Sequence, residues 1–300
     1  MTNSNFRTMK YGMFVHYVAK ATCRPDGSIP ATADETADGF DAEGFANDLA
    51  TFGVEYVLFT AWHYNAHCLY PSAANDTYMS GHSVRRDMIG DMGDKEYAHW
   101  DEFASSDGRV WPSNSMPIAA VIANSWLANT ARGKNVVTYS AEDMFRYTVL
   151  QAGSCIDGGG VQWAAGPYVG GGWETGVAET MTALGKLIAP IAPSIKNTLP
   201  SLCYRTHAGS TIDNLTWGVA TRSADADKEY LHVLKAPEGR TLHLPPTHFG
   251  KRYRTSRLLA NGHAVDLVQS DAGLSVNLRD GDVWDPLDTV IELTWARELG

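Results

Sequence analysis

The strongest constraint on this chain is a nearly unbroken apolar run, Val54–Trp62 (VEYVLFTAW), entered directly from a glycine. Before it, Asp41–Phe52 (DAEGFANDLATF) sets Phe45, Leu49 and Phe52 close to helical spacing, with Asp41 as the N-cap and Gly53 as the stop. A strand covered on both faces reads as such a nearly continuous apolar run, and helix–glycine–strand in this order predicts a parallel α/β layout. One step upstream, Tyr11–Val15 (YGMFV) reads as another strand. The two strands run into His16 and His63. In a (β/α)8-type barrel, residues just past the C-terminal strand ends face the active site.

Farther along, Arg24–Gly39 is polar with Gly and Pro and reads as a loop, and a second helix is expected over Val84–Met92. The text between Met92 and Pro117 is irregular. Strand character returns at Ile118–Ile122, and Ala141–Leu150 reads as a helix. Glycines 158–160, 166 and 170–172 surround VQWAAGPY and suit tight turns about a strand. Trp173–Ile188 is a further helix candidate, closed by Pro190 and Pro193. From Leu215 the rhythm becomes short alternating segments (LTWGVATR, EYLHVLK, RTLHL, SRLLANG, HAVDLV, GLSVNL, TVIELTW), the pattern of an antiparallel β-sandwich. The fold class expected is therefore α/β, a reduced or incomplete (β/α)8-type barrel over residues 1–206 followed by a C-terminal β-sandwich over 207–300. The change of rhythm falls near Thr206–Asn214.

Composition narrows the function. With 44% hydrophobic and 19% charged residues among 300, the chain has material for a real core. A net charge of −10 with scattered Lys and Arg argues against a nucleic-acid partner, since no basic run is there to neutralise phosphates. No apolar run approaches the ~18 residues of a membrane span, and MTNSNFRTMKYGMF lacks the pattern of a signal peptide. A cytoplasmic protein without a membrane partner is the expectation, or a secreted or periplasmic one if a leader has been removed. Cys23, Cys68, Cys155 and Cys203 are far apart, which suits free thiols, although an even count permits two bridges. Ten His, nine Trp and thirteen Tyr supply the flat apolar faces and neutral hydrogen-bonding groups that sugars need.

Several segments together are similar to the α-L-fucosidases of glycoside hydrolase family 29. Their first barrel strand reads like K-F-G-I-F-I-H-W-G, and Lys10–Tyr17 here is KYGMFVHY. Their second runs A-K-Y-V-V-L-T-A-K-H-H-D-G-F, then L-W-P-S and later R-D; here stand VEYVLFTAWHYNAH, LYPS at Leu69–Ser72, and Arg86–Asp87. ANSWL, GGGVQWAAGP and PSIKNTLPSLCYRT resemble later family segments, so the resemblance touches most of the chain. It departs from the family at Trp62, Tyr64 and Asn65, where the family has lysine, histidine and aspartate. It also departs in length. The family has three or four more strand–helix units before the N-x-S-W segment, one of them carrying the W-x-D nucleophile.

What the resemblance implies is retaining hydrolysis of terminal α-L-fucosyl residues by two carboxyl groups, with no cofactor, on a fucosylated glycan or small glycoside. His16 and His63 match the histidines that hold fucose hydroxyls; the other reading is two histidines satisfied within the core. Trp62 and Tyr64 flank His63 and are candidates for the same pocket, although strand alternation puts them opposite to it. Trp126 suits either a sugar platform or the core. Among Asp94, Glu96, Asp101, Glu102 and Asp107, Asp101 and Glu102 are the catalytic candidates, because Trp100–Asp101 resembles W-x-D; solvated loop carboxylates are the alternative. His63 and His67 stand four apart, but past a strand rather than on a helix, and no metal is expected. The shortened middle leaves a second hypothesis, an inactive glycan-binding descendant or internal-deletion form. An opened barrel would also expose parallel edges that favour a homo-oligomer.

Overall fold

The computed structural model describes residues 6–63, 65–92, 113–123, 125–157, 159–248 and 252–296. The N-terminal part is built on four parallel strands, β1 (Tyr11–Val15), β2 (Tyr56–Phe59), β3 (Ile118–Val121) and β4 (Val161–Ala164), in the order β2-β1-β4-β3. β1 is flanked on both sides: Met13 stands beside Val57 of β2 and Trp163 of β4. Strand alternation then divides its residues between the two faces. Tyr11, Met13 and Val15 are fully buried towards the helices, and the Tyr11 hydroxyl donates to the Phe52 carbonyl at 3.1 Å. Gly12 and Phe14 take the other face.

The helical layer is α2 (Ala42–Phe52), α6 (Val177–Ile188) and α5 (Ala141–Ala152), with α6 between the other two. α2 forms as its sequence dictates. The Asp41 carboxylate accepts from the Gly44 amide at 2.9 Å, Phe45, Leu49 and Phe52 are buried, and Gly53 closes the helix at φ 69°. Gly185 lets α6 approach its neighbour, because a Cβ there would stand 2.5 Å from the Phe52 carbonyl oxygen.

Several boundaries differ from the sequence reading. The expected loop 24–39 holds a short helix, α1 (Ala33–Asp38), started by the Thr32 hydroxyl accepting from the Glu35 amide. A second unexpected helix, α3 (Ala73–Tyr78), is capped in the same way by Ser72. The helix expected over Val84–Met92 shrinks to α4 (Met88–Asp91) behind Asp87, because Arg86 turns back to donate to the carbonyls of Ala37 and Phe40. α6 starts four residues later than Trp173, since Gly176 holds φ 87° ahead of it. Past α6 the chain continues through a 3-10 turn into α7 (Ala192–Ile195).

The remaining strands are antiparallel: β5 (Thr198–Pro200), β6 (Val219–Ser223), β7 (Lys228–Val233), β8 (Thr241–Leu244), β9 (Tyr253–Leu258), β10 (Asp266–Ser270), β11 (Gly273–Asn277) and β12 (Thr289–Trp295). They form a five-stranded sheet, β5-β6-β7-β12-β9, and a three-stranded one, β10-β11-β8. Leu231, Leu242, Leu258, Val276 and Ile291, drawn from both sheets, share one apolar core. This part docks on the helical layer: Val219 and Leu234 belong to the core of the parallel part, and Arg146 of α5 donates to the Leu234 carbonyl at 2.7 Å. No helix among the described residues is long and apolar enough to cross a membrane.

On the face of β1 away from the helices, the Tyr56 ring lies flat over Gly12, where an added Cβ would stand 2.3 Å from it, and Phe6 packs edge-on against Tyr56 at 5.0 Å. Gly12→Ala is therefore expected to cost about 1–3 kcal/mol in urea unfolding, the range for overpacking. Adding Tyr56→Leu should recover part of that loss, and a strictly additive double mutant would show that the two side chains do not compete for the space.

Candidate functional site

The C-terminal ends of all four parallel strands meet at one place. Beyond Val15, His16 continues the β1 alternation onto the face away from the helices. Just past β2, the Thr60 amide donates to the Val15 carbonyl at 3.0 Å and extends the pairing by one residue. That registers the Thr60 hydroxyl with His16, whose Nδ1 lies 3.2 Å from Oγ1. The His63 ring stands edge-on to His16, with centroids 5.0 Å apart at 71°. From the loop after β3, Trp126 lies tilted against His16 at 5.6 Å and edge-on to Phe14 at 5.8 Å. Beyond β4 comes Gly166, where a Cβ would fall 2.2 Å from the His16 carbonyl oxygen. Only a glycine lets that loop pass so close.

The loops that carry these groups are tied down. His63 sits on a small hairpin in which Trp62 pairs with Cys68, the Leu69 amide donates to the Ala61 carbonyl, and Ala66 turns the chain at φ 59°. Asn65 fastens that hairpin to the β1 loop, its side-chain NH2 donating to the Ala19 carbonyl at 2.7 Å. The Trp126 loop is held from behind, because the Tyr168 hydroxyl and the Cys23 thiol both donate to the Thr130 carbonyl. Asn135 closes the same strap by donating to the buried Glu174 carboxyl at 2.8 Å. Burial pushes the Glu174 carboxyl up from its ordinary value, against the Asn135 hydrogen bond that pulls it down.

Among the described residues the cluster is electrostatically neutral. Burial, and then the neighbouring His63, hold His16 down at about 4, while burial lowers His63. Both rings are then uncharged near neutrality, each with one donor and one acceptor nitrogen. Two such imidazoles, a hydroxyl and an indole suit a neutral polyol with a hydrophobic face better than an anion.

Of the residues singled out in the sequence, His16, His63 and Trp126 converge. Trp62 stands 56% exposed on the hairpin beside them. Tyr64, Asp101 and Glu102 lie outside the described residues. The strand alternation invoked for Trp62 does not reach it, since β2 ends at Phe59. His67 turns to stack on His82 at 4.1 Å and 5°. All four cysteines are free. Among the described residues no three His, Cys, Asp or Glu side chains gather as a metal site. Thr60, Phe14 and Gly166 were not anticipated. Thr60 left one trace in the sequence, a hydroxyl between the apolar Phe59 and Ala61.

No family model matches the chain, and no curated protein matches it by sequence. Solved structures do match. α-L-Fucosidase isoenzyme 1 from Paenibacillus thiaminolyticus aligns with a TM-score of 0.64 at 15% identity, covering 97% of this chain and 98% of that one. A GH29 α-L-fucosidase from Bacteroides thetaiotaomicron, solved as a trapped covalent intermediate with 2-fluoro-fucosyl fluoride, aligns at 0.69 and 14%, covering 97% and 95%. The Thermotoga maritima α-fucosidase in complex with fucose aligns at 0.62 and 14%, covering 96% of each chain. Nearly end to end, this chain has the mixed parallel and antiparallel fold of those proteins.

The lowered His16 has a consequence for stability. In the unfolded chain the same imidazole titrates near 6.5. Between the two values the unfolded state binds the extra proton, so the contribution of His16 to stability is expected to fall as pH drops from about 6.5 to about 4, and to level off below. His16→Gln should flatten that slope, removing on the order of 3 kcal/mol of pH dependence. Urea titrations at stepped pH check it; an unaltered slope in the variant would assign the effect elsewhere.

Proposed function

We propose that this chain is an α-L-fucosidase-like glycoside hydrolase acting on terminal α-L-fucosyl residues. The observation that carries this reading is the meeting of His16 and His63, 5.0 Å apart, at the C-terminal ends of adjacent parallel strands in a fold shared with α-L-fucosidases. Their uncharged rings donate to and accept from sugar hydroxyls, and Trp126 offers a flat face to C–H groups.

The architecture that fits is a shortened (β/α)8 barrel with a β-sandwich behind it. In a closed eight-stranded barrel the order around the first strand is second, first, eighth, seventh. The observed order β2-β1-β4-β3 follows that sequence if β3 and β4 stand for the last two strands. Turnover then uses a retaining mechanism, in which a carboxylate attacks the anomeric carbon and a carboxylic acid about 5–5.5 Å away protonates the leaving oxygen. The Bacteroides enzyme, with its trapped covalent intermediate, supports this chemistry for the fold. Asp101 and Glu102 are the sequence's candidates for the two roles.

One observation favours a second reading, a sugar-binding protein without turnover. Only residues 60–117 join β2 to β3, where a complete barrel has four more strand–helix units. Beside β2, Ala42, Leu49, Val54 and Val57, together with Glu55 and Asp91, line a groove of about 330 Å3 where the next unit of a complete barrel would pack.

Release of nitrophenol from an aryl α-L-fucoside, together with fucose titration, decides between them. Hydrolysis is expected, with Asp101→Asn or Glu102→Gln lowering it by at least about 100-fold, and His63→Ala weakening fucose about tenfold or more. Fucose binding without release supports the second reading, and neither binding nor release overturns both.

A further inference from the structure

His16 and Thr60 meet across the β1–β2 pair. Val15 stands beside Phe59 in parallel register, and the Thr60 amide on the Val15 carbonyl carries that register one residue further. The two side chains therefore leave the same face, and the Thr60 hydroxyl comes to 3.2 Å from Nδ1 of His16. Either group can supply the proton of that bond. Among the described residues the hydroxyl has no other hydrogen-bond partner. An Nδ1–H aimed at it would leave the hydroxyl proton without an acceptor there, whereas a donating hydroxyl satisfies both groups with one bond. Thr60 is β-branched, which restricts its rotamers and keeps the hydroxyl aimed. The ring is held as firmly, with Phe14 edge-on at 4.8 Å, His63 edge-on at 5.0 Å and Trp126 tilted at 5.6 Å.

From this geometry we infer that Thr60 is a positioning residue: its hydroxyl donates to Nδ1 and fixes His16 as the tautomer that carries its proton on Nε2. His16 makes no other hydrogen bond among the described residues, and Nε2 is the ring nitrogen farther from the main chain. His16 thus enters binding as a donor that meets an acceptor oxygen of the ligand. Its one lone pair is engaged by Thr60, so it does not take a proton from the ligand. A donor on Nδ1 also favours the uncharged ring, because an imidazolium has no lone pair to accept it, and this acts in the same direction as burial. The binding consequence rests on the fucose reading of the site; the tautomer does not.

The test is nitrogen-15 NMR of the labelled protein near neutral pH, with His16→Gln identifying the His16 signals. In the wild-type protein Nε2 is expected at the position of a protonated nitrogen, with a one-bond proton coupling, and Nδ1 at that of an unprotonated one. Thr60→Val keeps the shape and removes the hydroxyl, so it should draw the two resonances towards each other as the second tautomer becomes populated. Thr60→Ser should leave them near their wild-type positions. A proton found on Nδ1 in the wild-type protein overturns the inference, whether or not the variants fold, and so do resonances that Thr60→Val leaves unmoved. Calorimetric titration with L-fucose reads the consequence: Thr60→Val is expected to weaken binding about threefold to tenfold, and Thr60→Ser to recover most of that loss. Unchanged affinity in a Thr60→Val protein whose resonances have moved overturns the donor role in binding and leaves the tautomer standing. If the wild-type protein does not bind fucose, the fucose reading fails, and the nitrogen resonances still judge Thr60.

Discussion

Everything at the site depends on β1 being clamped between two parallel neighbours. Parallel strands exchange evenly spaced hydrogen bonds, so pairing with β2 on one edge and β4 on the other fixes the side to which each β1 residue points. Tyr11, Met13 and Val15 enter the helical layer and become unreachable by solvent. His16 is left on the opposite face, at the strand end. A slip of one residue would bury the imidazole among the helices and turn Met13 outwards. The first strand is therefore both the centre of the core and the gauge that aims the site.

The second strand adds a different control. Its pairing outlasts its regular structure by one residue, through Thr60, and this brings a hydroxyl to His16. The chain then leaves the sheet as a braced hairpin, so His63 is aimed by turn geometry and not by pleat. Desolvation follows from the same crowding. With Phe14, Trp126 and His63 around it, His16 holds a proton less readily than a histidine in water. Neutral histidines suit hydroxyl groups, which are matched by one donor and one acceptor per ring.

The antiparallel part packs against the helical layer. Its five-stranded sheet meets α5 and α7 closely: a Cβ on Gly153 would stand 2.7 Å from Val219, and the Thr221 hydroxyl donates to the Ser194 carbonyl. His232 and Asp288, both buried, face each other there at 2.6 Å, and His232 also reaches the Ser194 carbonyl. Deeper in the same part, Ser201 and Tyr253 both donate to the buried Glu229 carboxyl. The Glu229 carboxyl, Ser201, Tyr253 and His232 find partners within the protein, as most buried polar groups do, while Asp288 is bonded through Oδ2 alone and leaves its buried Oδ1 without a hydrogen bond among the described residues.

The sequence by itself determined what local chemistry determines. Asp41 and Gly53 bounded α2, the apolar runs announced β1 and β2, and alternation from Leu215 onward announced the antiparallel strands. His16 and His63 were legible because each follows such a run. α1 and α3 were written in the caps Thr32 and Ser72 but hidden by polar surroundings, since helices of six residues have too few apolar positions to show a period. Only the tertiary structure decided that Thr60, Phe14 and Gly166 belong to the site, that Trp62 keeps an open face, and that His67 stacks on His82 and not beside His63. Those facts depend on register between strands and on the path of loops. Each is set by contacts between residues far apart in the chain, and no short window of sequence contains both partners.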